Sequence, residues 1–294
     1  MVDNDKKRLD SQLAKRYPEN SRSIWQKYIK TGRISVNGTV EVLPKREIIE
    51  TDTIEIDLPV AVDFSQATLP IIFMDDNVIV IDKPSGVLSH AKGSLNEEFT
   101  VAEFFRRCTT YNLNTNRPGI VHRLDRDTSG VMIGARSLET ARLLQKQFAS
   151  HKAKKTYVAV VSNQPKMPQA VINLPIIRNP SSPSTFKIDP NGKSAETVYQ
   201  TLGAYNGLTL LRLSPKTGRT HQLRIHLQNI GAPIVGDKIY KGIAADRLYL
   251  HALALEITVM NSLNGQAERK MFKVDLPKEF EKIFPNARKL CRVL

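Results

Sequence analysis

The sequence predicts an α+β protein, on two observations. Strand-like apolar runs follow one another without a helix between them, and segments with helical periodicity are few. A regular βαβ winding would alternate the two kinds of segment. The 294 residues suffice for a large domain plus a small one, and an apolar fraction of 41% supports a sizeable core.

Residues 8–59 read as a compact unit. Leu9, Leu13 and Tyr17 recur at helical spacing until Pro18 ends the run. Ser21 or Ser23 can cap a second helix carrying Ile24, Tyr28 and Ile29, with Gly32 placed for a C-terminal cap. Ile34-Ser-Val and Thr39-Val flank Asn37-Gly38, a pair that tolerates the positive φ of a tight hairpin. Residues 54–58 alternate as another strand. Residues 60–70 read as a linker closed by Pro70.

Beyond it, residues 71–74 and 78–81 are strands around the polar turn Asp75-Asp-Asn77. Thr100 and Glu103 form a capping box opening a helix with Phe104 and Phe105. A helix over 138–150 places Ala141, Leu144 and Phe148 on one face. Strands are expected at 156–161, 197–202 and 208–213, and the proline-rich stretch 165–193 as a loop-rich excursion. Thr220 can cap a helix with Leu223, Leu227 and Ile230 as its apolar stripe; His221, Arg224 and Gln228 share another face.

Lys and Arg number 43 against 29 Asp and Glu, a formal net charge of +14 that points to a polyanionic partner, nucleic acid before membrane. The two cysteines, Cys108 and Cys291, have neither metal-ligand nor redox spacing. The first residues are polar, without a signal core, and no apolar run approaches the ~18 residues of a membrane span. The expected location is the cytoplasm.

Two clusters could carry chemistry. His122-Arg-Leu-Asp125-Arg-Asp-Thr-Ser-Gly130 is dense in polar groups between apolar runs, as a loop held up by a rigid scaffold would be. Its carboxylates could equally cap a turn, with the arginines as ion-pair partners. A kinase catalytic loop is excluded by context, since no glycine-rich phosphate loop and no Asp-Phe-Gly accompany it. No Walker loop or dinucleotide fingerprint occurs. The second cluster is Thr217-Gly-Arg-Thr-His221-Gln-Leu-Arg224-Ile-His226. Its histidines, five apart, suit no common metal, and no metal site is expected.

Asp82-Lys-Pro-Ser-Gly86, the Asp125 cluster, Lys154-Lys-Thr-Tyr157, Gly192-Lys-Ser-Ala-Glu-Thr-Val-Tyr199, the Arg224 cluster and Gly236-Asp-Lys occur in that order. Together they resemble the catalytic domain of RluA-type RNA pseudouridine synthases, over essentially all of residues 71–280. Arg8-Leu-Asp, Ser21-Arg-Ser, Ile29-Lys-Thr-Gly-Arg-Ile34 and Val36-Asn-Gly38 resemble the RNA-binding domain typified by ribosomal protein S-four. That likeness departs at Glu50-Thr-Asp52, where a glycine commonly precedes the aspartate.

The resemblance implies an S-four-like domain over 1–62, a linker over 63–70 and a catalytic domain over 71–294 with a mixed, mostly antiparallel sheet. It implies uridine-to-pseudouridine isomerisation in structured RNA, of the branch acting on large-subunit ribosomal RNA, by a monomer with no cofactor. Asp125 matches the nucleophilic carboxylate, Arg224 its charge partner and Tyr157 the tyrosine that stacks on uracil and can assist proton removal. Arg123 matches an arginine that fills the gap left by an extruded base. Arg22, Lys27, Lys30 and Arg33 become RNA contacts where a bare charge count would give only a solvated face. Asp127 is assigned to turn structure. The alternatives are a catalytically silent RNA-binding or ribosome-assembly protein on the same fold, and the same enzyme acting on transfer RNA.

Overall fold

The computed structural model describes residues 6–58, 62–91 and 98–292; the extreme N-terminus and the start of the expected linker lie outside them. The chain divides into two compact units, the smaller built on residues up to 66 and the larger on residues 67–90 and 99–294.

In the smaller unit, β1 (Lys7–Arg8) leads into α1 (Leu9–Arg16) and α2 (Arg22–Lys30), followed by β2 (Ile34–Val36), β3 (Thr39–Glu41), β4 (Glu47–Ile48) and β5 (Ile54–Ile56). Leu9 and Leu13 of α1 pack with Trp25, Tyr28 and Ile29 of α2 over Ile34 and Val36 of β2. Asn37 and Gly38 both take positive φ, 52° and 75°, and turn β2 back antiparallel onto β3. Gly32, at φ 72°, follows α2 as a C-terminal cap. Ser21 stands at the N-cap of α2, but its hydroxyl meets Ser23 Oγ at 2.9 Å and no side chain caps the helix.

The larger unit is a nine-stranded sheet. Its strands are β6 (Ile71–Met74), β7 (Val78–Lys83), β8 (Ser129–Ala135), β9 (Lys154–Ser162), β10 (Gln169–Asn173), β13 (Glu196–Tyr205), β14 (Leu208–Pro215), β15 (Leu250–Met260) and β16 (Ala267–Lys273). A separate hairpin of β11 (Ile176–Arg178) and β12 (Phe186–Ile188) sits between β10 and β13 in the chain. The spatial order is β10-β13-β14-β9-β15-β8-β7-β6, with β16 also on β15. Neighbours are antiparallel throughout except β15 and β8, which run parallel with His251 opposite Ser129 and Ala252 opposite Gly130.

Alternate residues of each strand enter different cores. On β7, Val78 and Val80 pack with α4 (Leu138–Ala149), whereas Ile79 and Ile81 pack with α3 (Val101–Arg106). On β9, Ala159 and Val161 meet Leu223 and Leu227 of α5 (Gln222–Asn229), and Val158 and Val160 meet Phe280 and Phe284. The latter come from α6 (Glu279–Ile283) and its exit, ahead of the last helix, α7 (Ala287–Cys291). Both faces are therefore covered, which is why these strands read as unbroken apolar runs. Thr100 and Ser137 each cap their helix, accepting from Glu103 N and Thr140 N.

The 165–193 stretch is more ordered than expected. Its prolines flank β10 instead of interrupting it, and β10 lies at the sheet edge, where only β13 needs its hydrogen bonds.

Candidate active site

The Asp125 loop is clamped from three sides. His122 stacks on Phe148 at 4.6 Å, and its Nε2 accepts from Ile133 N at 3.0 Å, so the ring is a neutral Nδ1–H tautomer. Burial pushes its pKa down to about 3. Leu124 exchanges both backbone hydrogen bonds with the buried Ser89 hydroxyl, at 3.1 and 2.7 Å. Lys83, fully buried at the end of β7, donates to the carbonyls of Pro84, Val87 and Arg126 at 2.7–2.9 Å. Burial lowers its pKa to about 7. The Asp82-Lys-Pro-Ser-Gly86 motif is thus a strut behind the loop, to which Ser85 adds a hydrogen bond to Asp127 O. The Asp127 residue is exposed, and only its backbone is engaged there.

The glycine that ends the motif has a specific cause. Gly130 has φ 117°, and a Cβ there would stand 2.2 Å from Ala252 O, in the strand paired beside it. Ala252 also pairs with Tyr157 on its other side, so one residue of β15 sets loop and tyrosine in register.

Asp125, 18% exposed, and Tyr157 both line a cleft of about 520 Å³ together with Arg123, Lys155, His221 and Arg224. Burial and the nearby Asp125 charge drive the Tyr157 phenol far above its ordinary range, so it carries its proton at neutral pH. Lys155, two residues earlier on β9, donates to Thr217 O at 2.8 Å; burial lowers its pKa to about 8. Gln228 is not among the cleft residues.

Arg224 faces Asp125, Nη1 to Oδ2, at 3.9 Å. Its closer partner is Asp237, to which no periodic pattern in the sequence points. Arg224 Nε and Nη2 each donate to Asp237 at 2.7 Å, and the carboxylate also accepts from Ile239 N and Tyr240 N. Burial opposes charge on both residues, but mutual pairing outweighs it, raising the arginine's pKa and lowering the aspartate's. The guanidinium also lies 5.1 Å over the Tyr240 ring. Gly236-Asp-Lys, quoted in the sequence without a role, was the available signal.

The helix start is also corrected. His221, not Thr220, is the N-cap of α5, and no side chain caps it. Gln222 organises this turn instead: its Oε1 accepts from Thr217 Oγ1 and Arg219 N, and its Nε2 donates to Glu196 O and Thr197 Oγ1. His226 is a satisfied structural residue between Thr197 Oγ1 and Leu174 O, each at 3.0 Å.

In the smaller unit the four expected RNA contacts are not alike. Arg22 pairs with buried Asp10 at 3.1 Å and Arg33 with Asp57 at 3.0 Å. Lys27 is exposed, and Lys30 lines a groove of about 480 Å³ with Arg8, Gln26, Lys45 and Arg46. No helix among the described residues is long and apolar enough to cross a membrane.

Residues 77–229, which include Asp125, Tyr157 and Arg224, match the family described as RNA pseudouridylate synthase. The chain belongs to the RNA pseudouridine synthases, of the RluA type. It is an isomerase acting on RNA. A ribosomal large subunit pseudouridine synthase D of Borreliella burgdorferi is 38% identical over 225 residues, covering 74% of this chain and 68% of that one. An uncharacterised RNA pseudouridine synthase of Aquifex aeolicus is 34% identical over 247 residues, covering 81% of this chain and 78% of its own. Human RNA pseudouridylate synthase domain containing 1 superposes with a TM-score of 0.57 at 25% identity, over 76% of this chain and 87% of that one. The synthase fold, with its mixed and mostly antiparallel sheet and few helices, agrees with the α+β expectation.

Proposed function

We propose that this synthase converts uridine to pseudouridine in large-subunit ribosomal RNA in the cytoplasm, with Asp125 as nucleophile. The observation that carries the reading is a single ionisable carboxylate in the cleft, facing a buried arginine at 3.9 Å and lined by a protonated tyrosine. Uracil must leave its ribose, rotate and rejoin through a ring carbon, a sequence that a positioned carboxylate can mediate. Arg224 keeps that carboxylate charged once RNA has excluded water. Tyr157 supports the base with its ring, and its hydroxyl, which holds its proton at neutral pH, takes part in moving the ring-carbon proton. Arg123, exposed at the rim, fills the space the nucleotide leaves.

The ribosomal target is favoured by relatives named as large-subunit synthases. The smaller unit is read as an S-four-like RNA-binding domain over residues 1–62, joined by residues 63–70 to a catalytic domain, in a protein acting as a monomer. The groove beside Lys30, lined also by Arg8, Lys45 and Arg46, favours that reading. Pseudouridine should be mapped in ribosomal and transfer RNA from cells with and without the gene. Sites missing from large-subunit RNA are the expected result. Loss confined to transfer RNA overturns the target, and unchanged maps overturn catalysis.

A further inference from the structure

His221 is the one residue lining the cleft that combines a left-handed backbone with a hydrogen bond that fixes its ring. Its φ is 55° and ψ 17°, a conformation that crowds any Cβ and that glycine would adopt without penalty. Its Nδ1 lies 2.8 Å from Tyr240 Oη, and that oxygen also receives Phe186 N–H at 3.0 Å. A backbone amide can only donate, so the phenol oxygen is the acceptor in that contact. Burial raises the Tyr240 pKa, so the phenol keeps its proton, and His221 Nδ1 is the acceptor within reach. The imidazole therefore carries its hydrogen on Nε2. Burial is the main cause holding the ring uncharged; Arg224 and Arg123 add to it, against Asp125 and Asp237.

We propose that His221 donates a hydrogen bond from Nε2 to an oxygen of the nucleotide drawn into the cleft, either a carbonyl of the base or an oxygen of its phosphate. This rests on the reading of the cleft as the nucleotide site. Tyr240 is then a positioning residue with two outputs. Its hydroxyl sets the tautomer of His221, while its backbone N–H and ring hold Asp237 and Arg224. The β11–β12 hairpin contributes through Phe186, whose amide orients the phenol and whose ring meets His221 edge-on at 5.7 Å. A neutral donor with a fixed tautomer needs no proton rearrangement when its acceptor arrives. It also gives a reason to keep a side chain at a backbone position suited to glycine.

The test has two independent parts. Nitrogen-15 spectra of the histidine-labelled protein should show His221 with Nδ1 bare and Nε2 protonated at neutral pH, and Tyr240→Phe should mix the tautomers. An Nδ1–H ring in the wild-type protein overturns the proposal without reference to any RNA. Turnover is then measured on total RNA from cells lacking the enzyme, so that it does not depend on which RNA is the target. His221→Gly relieves the backbone and should fold normally, yet lose about 10–100-fold in rate. His221→Gln, which restores an N–H donor near the same point, should recover part of that loss. Wild-type turnover by the glycine variant overturns the proposal. A loss confined to kcat assigns the acceptor to the base, whose contacts change as it rotates; a loss confined to KM assigns it to the phosphate. If the wild-type enzyme forms no pseudouridine in that RNA, the catalytic reading fails while the tautomer result stands.

Discussion

Arg224 and Asp237 are joined by two parallel hydrogen bonds of 2.7 Å, which leave the remaining guanidinium nitrogen directed at Asp125, 3.9 Å away. The charge partner of the proposed nucleophile is thus fixed before substrate arrives, by a carboxylate that is itself fully enclosed. Preset dipoles and charges stabilise a reacting group without reorganising during the reaction.

Asp237→Asn should therefore reduce turnover on the order of 10²-fold, although Asp237 does not line the cleft. Arg224→Met should be at least as damaging, and the double variant little worse than Arg224→Met alone, because the two residues act as one unit. Single-turnover rates of the three proteins check this. Additive losses would mean that Asp237 acts by another route.

Asp125→Asn should abolish product formation while leaving folding and RNA affinity largely intact, since the amide matches the carboxylate in shape but is not a nucleophile. Tyr157→Phe should keep binding and slow a later step, whereas Tyr157→Leu should also weaken binding. Pseudouridine analysis and RNA titration of the purified variants decide. Full activity in both tyrosine variants would remove Tyr157 from the reaction.

The smaller unit has a buried charge of its own. Asp10 accepts hydrogen bonds from Arg8, Arg22 and Gln26, and these overcome its burial to hold its pKa far below the usual carboxylate range. The stabilisation is fully present above its unfolded pKa of about 3.9 and is lost as pH falls below it. Asp10→Asn should cost on the order of 2–3 kcal/mol at neutral pH, with the gap closing in acid. Trp25, the chain's single tryptophan, lies in this unit's core and reports its unfolding by fluorescence. A gap that persists unchanged at pH 2 would contradict the ionised network.

The basic residues of the smaller unit should separate in salt titrations. Changing Lys27 and Lys30 to Gln should lower the slope of log affinity against log salt by about 1–2, without loss of stability. Arg22→Gln should instead lower stability, through Asp10. An unchanged slope in the lysine variant would leave this face merely solvated.

What was legible in the sequence was local. The Asn37-Gly38 turn, the Thr100 helix cap and the apolar runs of β7 and β9 all encode their structure within a few residues. Asp125, Tyr157, Arg224 and Arg123 stand in short sequence motifs, and all four line one cleft. The rest depends on distant partners. Asp237 has no periodic pattern around it, and its place follows only from where α5 directs Arg224. The parallel pairing of β8 with β15 leaves no local trace, because His251 and Ser129 are far apart in the chain. Thr220 looked like a cap because hydroxyls usually are, but the helix begins one residue later, after the left-handed His221, a backbone turn with no local sequence signal.

That same strand has a consequence for synthesis. A nascent chain of 249 residues already contains Asp125, Tyr157, Arg224 and Asp237, but not the strand that lies between β8 and β9. Until residues 250–260 emerge, Asp125 and Tyr157 belong to two half-sheets, each with an unpaired edge. Such edges are templates for aggregation, so a chain terminated just before Leu250 should be a chaperone client and not a weak enzyme. The cleft that holds Asp125 and Tyr157 is therefore brought into register only after residues 250–260 have been made.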